Sequence, residues 1–195
     1  AYDKGGEEHY NVISAFIKSL RDSDPDGAIY WLARMLDAGE DPLFIVRRMV
    51  IFASEDIGNA DPRALQLAIA TQQAVHFVGM PEARISLAQA VTYLAGAPKS
   101  NASYVAIGKA LAEVRSSGAL PVPKHLRNAP TSLMKSLDYG KDYQYAHDHA
   151  DGVSNQQHLP DNLTGRQYYH PTDRGYEKLI GERLEHLRKL RKART

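Results

Sequence analysis

Cysteine is missing altogether from this 195-residue chain. Its absence excludes disulfides, thiolate zinc sites and cysteine nucleophiles, and suits a reducing compartment. Long apolar runs are missing as well, and none approaches the roughly 20 residues that a membrane-spanning helix needs. Residues 1–8 are polar and glycine-rich and do not read as a secretory signal. Ala1 in place of Met, running straight into a helical pattern, reads as the edge of a piece cut from a longer protein. Charge of one sign is not in excess: 24 Lys and Arg face 23 Asp and Glu, a formal net charge of +1. Nothing at whole-chain level therefore demands nucleic acid, and any basic surface must come from local patterning. The phosphate-binding pattern G-x-x-x-x-G-K-[ST] is absent too. Gly108-Lys109 lies inside a helical pattern, and Gly140-Lys141 lacks the upstream glycine.

What is present is an ordinary globular composition, 43% hydrophobic and 24% charged, in a chain long enough for one domain with a core. From residue 7 to 118 one device recurs: a helix, a glycine stop and often an Asp-Pro start. The Asp side chain caps free N–H groups of the first turn, and Pro at the first helical position lacks only an N–H that would have had no partner. Asp24-Pro25, Asp41-Pro42 and Asp61-Pro62 fit, and Pro81 is expected to open a helix without the Asp. Gly39, Gly58, Gly79, Gly96 and Gly118 each follow an apolar-periodic run, where a left-handed C-terminal cap is wanted. Helix starts at 25, 42, 62 and 81 give a solenoid-like spacing, but no residue signature recurs beyond the cap, so a closed bundle is expected.

Six apolar stripes carry helical spacing. They run through Ile13, Phe16, Ile17 and Leu20; Ala28, Trp31, Leu32 and Met35; a third helix over 42–57; Ala64 to Val78; Leu87 to Ala95; and Tyr104, Ile107, Gly108 and Leu111. The third helix is apolar on most sides, with only Arg47, Arg48, Ser54 and Glu55 as a polar stripe, which marks a helix buried by neighbours or by another subunit. Each fully buried Leu, Ile or Phe contributes about 1.5–3 kcal/mol, so six stripes predict a stable core. The character changes after Gly118. Pro121, Pro123 and Pro130 punctuate 119–131, and Leu133 to Leu137 makes a turn or two of helix. From Asp138 to Thr172 no period is sustained, yet this stretch holds five of the eleven tyrosines. That aromatic content argues for an ordered arm lying on the helical body or on a neighbouring subunit. A last helix is expected over 173–193, with Ile180, Leu184 and Leu187 on one side and a run of Arg and Lys around them.

Three kinds of chemistry are open. His147, His149 and Asp151 are metal-ligand types, but one short run rarely supplies a whole site. Glu55 and Asp56 stand near a helix C-terminus, where carboxylates are disfavoured unless paired; they are either an acid–base pair, or partners of arginines or caps of the next helix. The basic residues of the C-terminal helix and of the Pro/Gly loops either grip nucleic-acid phosphates or form solvated surface.

Specific strings carry a resemblance. They are Tyr2-Asp3-Lys4-Gly5-Gly6-Glu7-Glu8-His9-Tyr10, then Ser23-Asp24-Pro25-Asp26 leading to Tyr30-Trp31-Leu32-Ala33-Arg34-Met35-Leu36. Ala53-Ser54-Glu55-Asp56-Ile57-Gly58, Ala97-Pro98-Lys99-Ser100-Asn101 and Pro121-Val122-Pro123 come next, then His125-Leu126-Arg127-Asn128-Ala129-Pro130-Thr131. The last are Tyr145-Ala146-His147-Asp148, Gln157-His158-Leu159-Pro160 and Tyr168-Tyr169-His170-Pro171-Thr172-Asp173-Arg174-Gly175. In order and nearly end to end, the chain resembles the C-terminal part of the replication-associated recombination protein A family, also called MgsA, whose eukaryotic relative is the Werner helicase-interacting protein.

The resemblance implies a parent AAA+ ATPase related to clamp loaders, using ATP and Mg, acting in replication-fork maintenance and recombination, binding DNA and single-strand DNA-binding protein, and residing in the cytoplasm at the nucleoid. It implies an all-α, collar-like C-terminal region that holds a homotetramer. Residues 1–38 would end the lid-associated segment and 39–195 would form the oligomerisation domain. The ATPase core is absent from this sequence, with no Walker motifs and no arginine finger, so no catalytic residue, cofactor or metal is assigned here. Glu55 and Asp56 then become part of a family fold motif. The interface candidates are Arg48, Phe52, Glu55, Tyr93, Tyr104 and Tyr145, centred on the third to sixth helices and the tyrosine-rich arm. The rival reading is a DNA-binding module using Lys99, Arg127, Lys141, Arg166, Arg174, Arg188 and Lys192. A metal-dependent hydrolase built on His147, His149 and Asp151 is a third.

Overall fold

The computed structural model describes residues 6–194. The string opening at Tyr2 therefore lies outside the described residues as far as Gly5. The chain is all-α: eight α-helices and several single turns, with no strand among the described residues. It divides into two units, one of residues 1–105 and 171–179, the other of 106–170 and 180–195.

The first unit is built by the capping signals read from the sequence. Helix α1 spans Glu7–Arg21, with acidic residues in its first turn and basic ones in its last, both favoured by the helix dipole. Asp24 accepts from the Gly27 N–H at 2.9 Å and starts α2, Pro25–Asp37. Asp41 accepts from Leu43 N–H at 2.9 Å and starts α3, Pro42–Phe52. Asp61 accepts from Arg63 N–H at 3.1 Å at the start of α4, Arg63–Val78, but Pro62 occupies the capping position and does not open the helix as expected. Pro81 does not open a helix as expected: the Met80–Pro81 peptide is cis and α5 begins two residues later, Ala83–Gly96. Gly39, Gly79 and Gly118 take the positive φ expected after a helix, whereas Gly96 is the last residue of α5 and does not. The core gathers Phe16, Leu20, Met35, Ile45, Met49, Phe52, Leu87 and Leu94 from α1, α2, α3 and α5, and Ala64 and Ala68 let α4 approach closely.

Two corrections concern helix ends. The third helix stops being α-helical at Phe52, and Ala53–Ile57 forms a π turn. Such a turn adds one residue to the repeat and re-aims the residues beyond it. Here it carries Asp56 to Arg21 and its carbonyl to Ser100. The last helix, α8, spans Glu177–Ala193 and does not begin at 173, because Pro171 to Tyr176 is tied to the first unit as a non-helical segment.

The second unit is of a different kind. It takes most of α6, Ala102–Ser117, the one-turn α7, Ser132–Ser136, and most of α8. Between α7 and α8 the chain makes only 3₁₀ turns at Ala146–Asp148, Ala150–Gly152 and Asp161–Leu163. Val153, 7% exposed, is the one buried apolar side chain among its described residues. Hydrogen bonds hold it instead. The Gln156 side-chain amide accepts from Gln144 N–H at 3.1 Å and donates to Gln144 O at 2.7 Å, His125 Nε2 meets Gln157 O at 2.6 Å, and Arg194 donates to Val153 O at 2.5 Å and Ala150 O at 3.1 Å.

The sixth apolar stripe also needs correction. It was expected in the core, but only Ala102 of α6 is buried. Tyr104, Ile107, Leu111 and Val114 are 54%, 58%, 46% and 60% exposed.

Candidate functional site

Three of the recognised strings converge in the first unit. Arg21 Nε donates to Asp56 Oδ1 at 2.8 Å and its Nη2 reaches Oδ2 at 3.4 Å. This hydrogen bond, ahead of the carboxylate's charge, pushes the Arg21 pKa up from its ordinary value. The Asp56 carbonyl accepts from Ser100 N–H at 2.8 Å. Ser100 Oγ donates to Glu177 at 2.5 Å, and the same carboxylate oxygen accepts from Thr172 N–H and Oγ1, both at 2.7 Å. Arg174 donates to Lys99 O at 3.2 Å, and Tyr176 N–H to Ala60 O at 2.8 Å. Gly175 sits at φ +55, where a Cβ would lie 2.2 Å from Ala60 O, so only glycine fits between these strings. The Glu55-Asp56 pair is thus an arginine partner and a backbone anchor. Glu177, wholly buried, is the hub that the sequence reading missed. Its one signal, an acidic residue opening a helix, is too common to single it out.

The basic candidates divide by what already holds them. Lys99 Nζ is bonded to Ser23 Oγ at 3.0 Å, Ala95 O at 2.9 Å and Ala97 O at 2.5 Å, which closes the end of α5. Burial pushes its pKa below that of an ordinary lysine, against the charge of Asp56. Arg127 Nε donates to Val122 O at 2.7 Å, with its guanidinium 4.8 Å from the Tyr139 ring centre. Lys141 pairs with Asp138 at 3.4 Å and Arg166 with Glu113 at 3.0 Å. Arg166 also joins Arg188, Arg191, Tyr168 and Tyr169 around a cleft of about 450 Å³ in the second unit. Lys192 lies in the last turn of α8. His147 packs near Tyr145 at 5.2 Å and Asp151 lies 3.9 Å from Arg194. Among the described residues no three His, Asp or Glu side chains come together to hold a metal ion.

Of the interface candidates, Phe52 turns inward and is 1% exposed in the chain's own core. Tyr93 donates its hydroxyl to Asp61 at 2.6 Å, a bond that pushes the phenol pKa up. Glu55 is half-buried and adds its charge to the field on Arg21. Tyr145 is exposed. Arg48 lines a groove of about 430 Å³ between α1 and α3, and its Nε is buried without a hydrogen-bond partner.

Tyr104 leads the exposed stripe on α6. Its spacing, 104, 107, 111 and 114, steps by three, four and three residues, which keeps all four side chains on one face. That is the seam pattern of paired helices. Gly108 and Ala110 flank it, small enough for a second backbone to approach closely. No helix among the described residues is long and apolar enough to cross a membrane.

The family model described as MgsA AAA+ ATPase C terminal matches residues 22–188. The chain is 57% identical over 190 residues to replication-associated recombination protein A of Coxiella burnetii, covering 97% of this chain and 43% of that protein. With the protein of the same name from Escherichia coli K12 it shares 50% over 184 residues, 94% of this chain and 41% of that one. It is 49% identical over 169 residues to ATPase WRNIP1 of Dictyostelium discoideum, covering 86% of this chain and 19% of that one. The chain spans less than half the length of these curated relatives.

Proposed function

This chain belongs to the MgsA AAA+ ATPase C-terminal family, and we propose that it is the homotetramerisation domain of a clamp-loader-like ATPase acting in replication-fork maintenance and recombination. In this reading residues 1–38 end the lid-associated segment and 39–195 form the assembly domain. The mechanism is geometric. Subunits fixed to one another hold neighbouring ATPase modules where one completes the other's ATP and Mg site, while DNA and single-strand DNA-binding protein engage the parent at the fork, in the nucleoid-containing cytoplasm. The chain itself supplies no catalytic group.

The observation that carries the reading is the apolar seam of α6. Four large apolar side chains on one helix face, left in water, forgo about 25 cal/mol for each Å² of apolar surface, and a second copy of the same face removes that cost. A self-complementary face gives a two-fold contact, and two such contacts close a tetramer. Light scattering on a gel-filtration column, at several concentrations and in high salt, tests this. A mass near four times 21.6 kDa that salt does not dissolve is expected; a monomer at every concentration removes the reading.

The cleft of Arg166, Arg188, Arg191, Tyr168 and Tyr169 favours a second reading, a DNA-binding module. Arginines hold phosphates and tyrosine rings stack bases. A gel shift that fades with salt and is lost in Arg188→Ala/Arg191→Ala supports it, and a shift unchanged by that pair of substitutions rejects the cleft.

A further inference from the structure

We propose that the basic groove between α1 and α3 receives the acidic, tyrosine-bearing segment 138–151 of a second copy of this chain, an inference that rests on the assembly reading. The groove holds about 430 Å³. Lys18 and Arg21 enter it from α1 and Arg47 and Arg48 from α3, beside Ile13, Ile17 and Phe44, and no carboxylate lines it. Arg21 is already bonded to Asp56 beneath. Arg48 is not so provided for: its Nε is shut off from water and has no hydrogen-bond partner. A buried donor left unmade costs about 1–3 kcal/mol, more on a charged group, and native structures rarely carry one without a reason. Arg48 is half-buried and lines the groove with Lys18, Arg21 and Arg47, and an anion with an apolar or aromatic body offsets the like charge gathered there.

Segment 138–151 has that chemistry. It contains Asp138, Asp142, Asp148 and Asp151 against the single Lys141, four negative charges and one positive with His neutral. Asp138 and Asp151 have cations nearby, Lys141 at 3.4 Å and Arg194 at 3.9 Å. Asp142 and Asp148 are exposed and make no ion pair among the described residues. Between them Tyr143 and Tyr145 are 52% and 54% exposed, an expensive placement for aromatic rings and a suitable one for rings that stack on guanidinium groups. The reach is adequate. The six steps from 142 to 148 span at most about 20 Å when extended, and α1 from His9 to Arg21 is about 18 Å long. The α6 seam pairs two copies, and the groove and arm join one pair to the next.

The test is a charge swap read as mass by light scattering on the 195-residue chain. Arg48→Glu alone, and Asp142→Lys with Asp148→Lys alone, are each expected to halve the wild-type mass while the α6 pair survives. The chain carrying all three substitutions is expected to regain it. Thermal melting followed by circular dichroism must show each variant folded. For a variant that does not fold, Arg48→Gln and Asp142→Asn/Asp148→Asn replace it, with the same halving expected. Wild-type mass in either the groove or the arm variant, or no recovery in the triple variant, overturns the proposal and leaves the groove to a different acidic occupant. In that event the tetramer of the wild-type chain still stands. A monomeric wild-type chain removes the assembly reading and this inference together.

Discussion

The two units solve the problem of stability differently. In the first, five helices bury large side chains from several directions, and the buried polar groups are partnered: His9 with Glu40, Thr71 with a backbone carbonyl, and a connected set around Asp56, Ser100, Thr172 and Glu177. In the second, one valine is buried and the chain is held by side chains bonded to backbone carbonyls, while α6 keeps its apolar face in water. A region so short of core gains little from its own burial and much from a partner's. The contrast teaches that the first unit is stabilised by its own core, whereas the second leaves apolar surface that its own chain does not cover.

This comparison can be broken from several sides. Leu94→Ala, wholly inside the first unit's core, is expected to cost about 2–5 kcal/mol, read as a lower denaturation midpoint. Val153→Ala in the second unit should cost clearly less, and an equal loss would erase the contrast. Glu177→Ala leaves the Ser100 and Thr172 donors without their acceptor and should cost about 1–3 kcal/mol. Denaturant unfolding checks it, and a neutral result would mean that the hub carries no weight. The smallest effect belongs to Tyr93→Phe. The phenol donates to Asp61 and its pKa is raised, so the stability it lends is fully present below the ordinary tyrosine value of about 10 and is lost as pH climbs through the raised one. The variant should melt slightly below wild type at neutral pH, with the gap closing in alkali.

Much of the first unit was legible. Asp24-Pro25 and Asp41-Pro42 cap as read, Asp61-Pro62 stands one residue ahead of its helix, and five of the six stripes point inward, because period and capping are local signals. What escaped depends on partners far along the chain. The π turn at Ala53–Ile57 brings Asp56 to Arg21, 35 residues away, a partner that local spacing does not reveal. The late start of α8 comes from Gly175 lying against Ala60. Lys99 reads as a loop cation, yet its three bonds close a helix end. The α6 stripe shows the limit most clearly: apolar spacing tells that a face is to be covered and says nothing of whether the cover comes from the same chain.

Leu111→Glu addresses that last point most directly. It places a charge in the middle of the exposed seam, at a position 46% open to solvent, where nothing in the chain's own core is disturbed. Mass by light scattering, with thermal melting alongside, is the measurement. The account predicts a smaller particle than wild type with the helical content kept. An unchanged mass would contradict it and return the α6 face to ordinary surface.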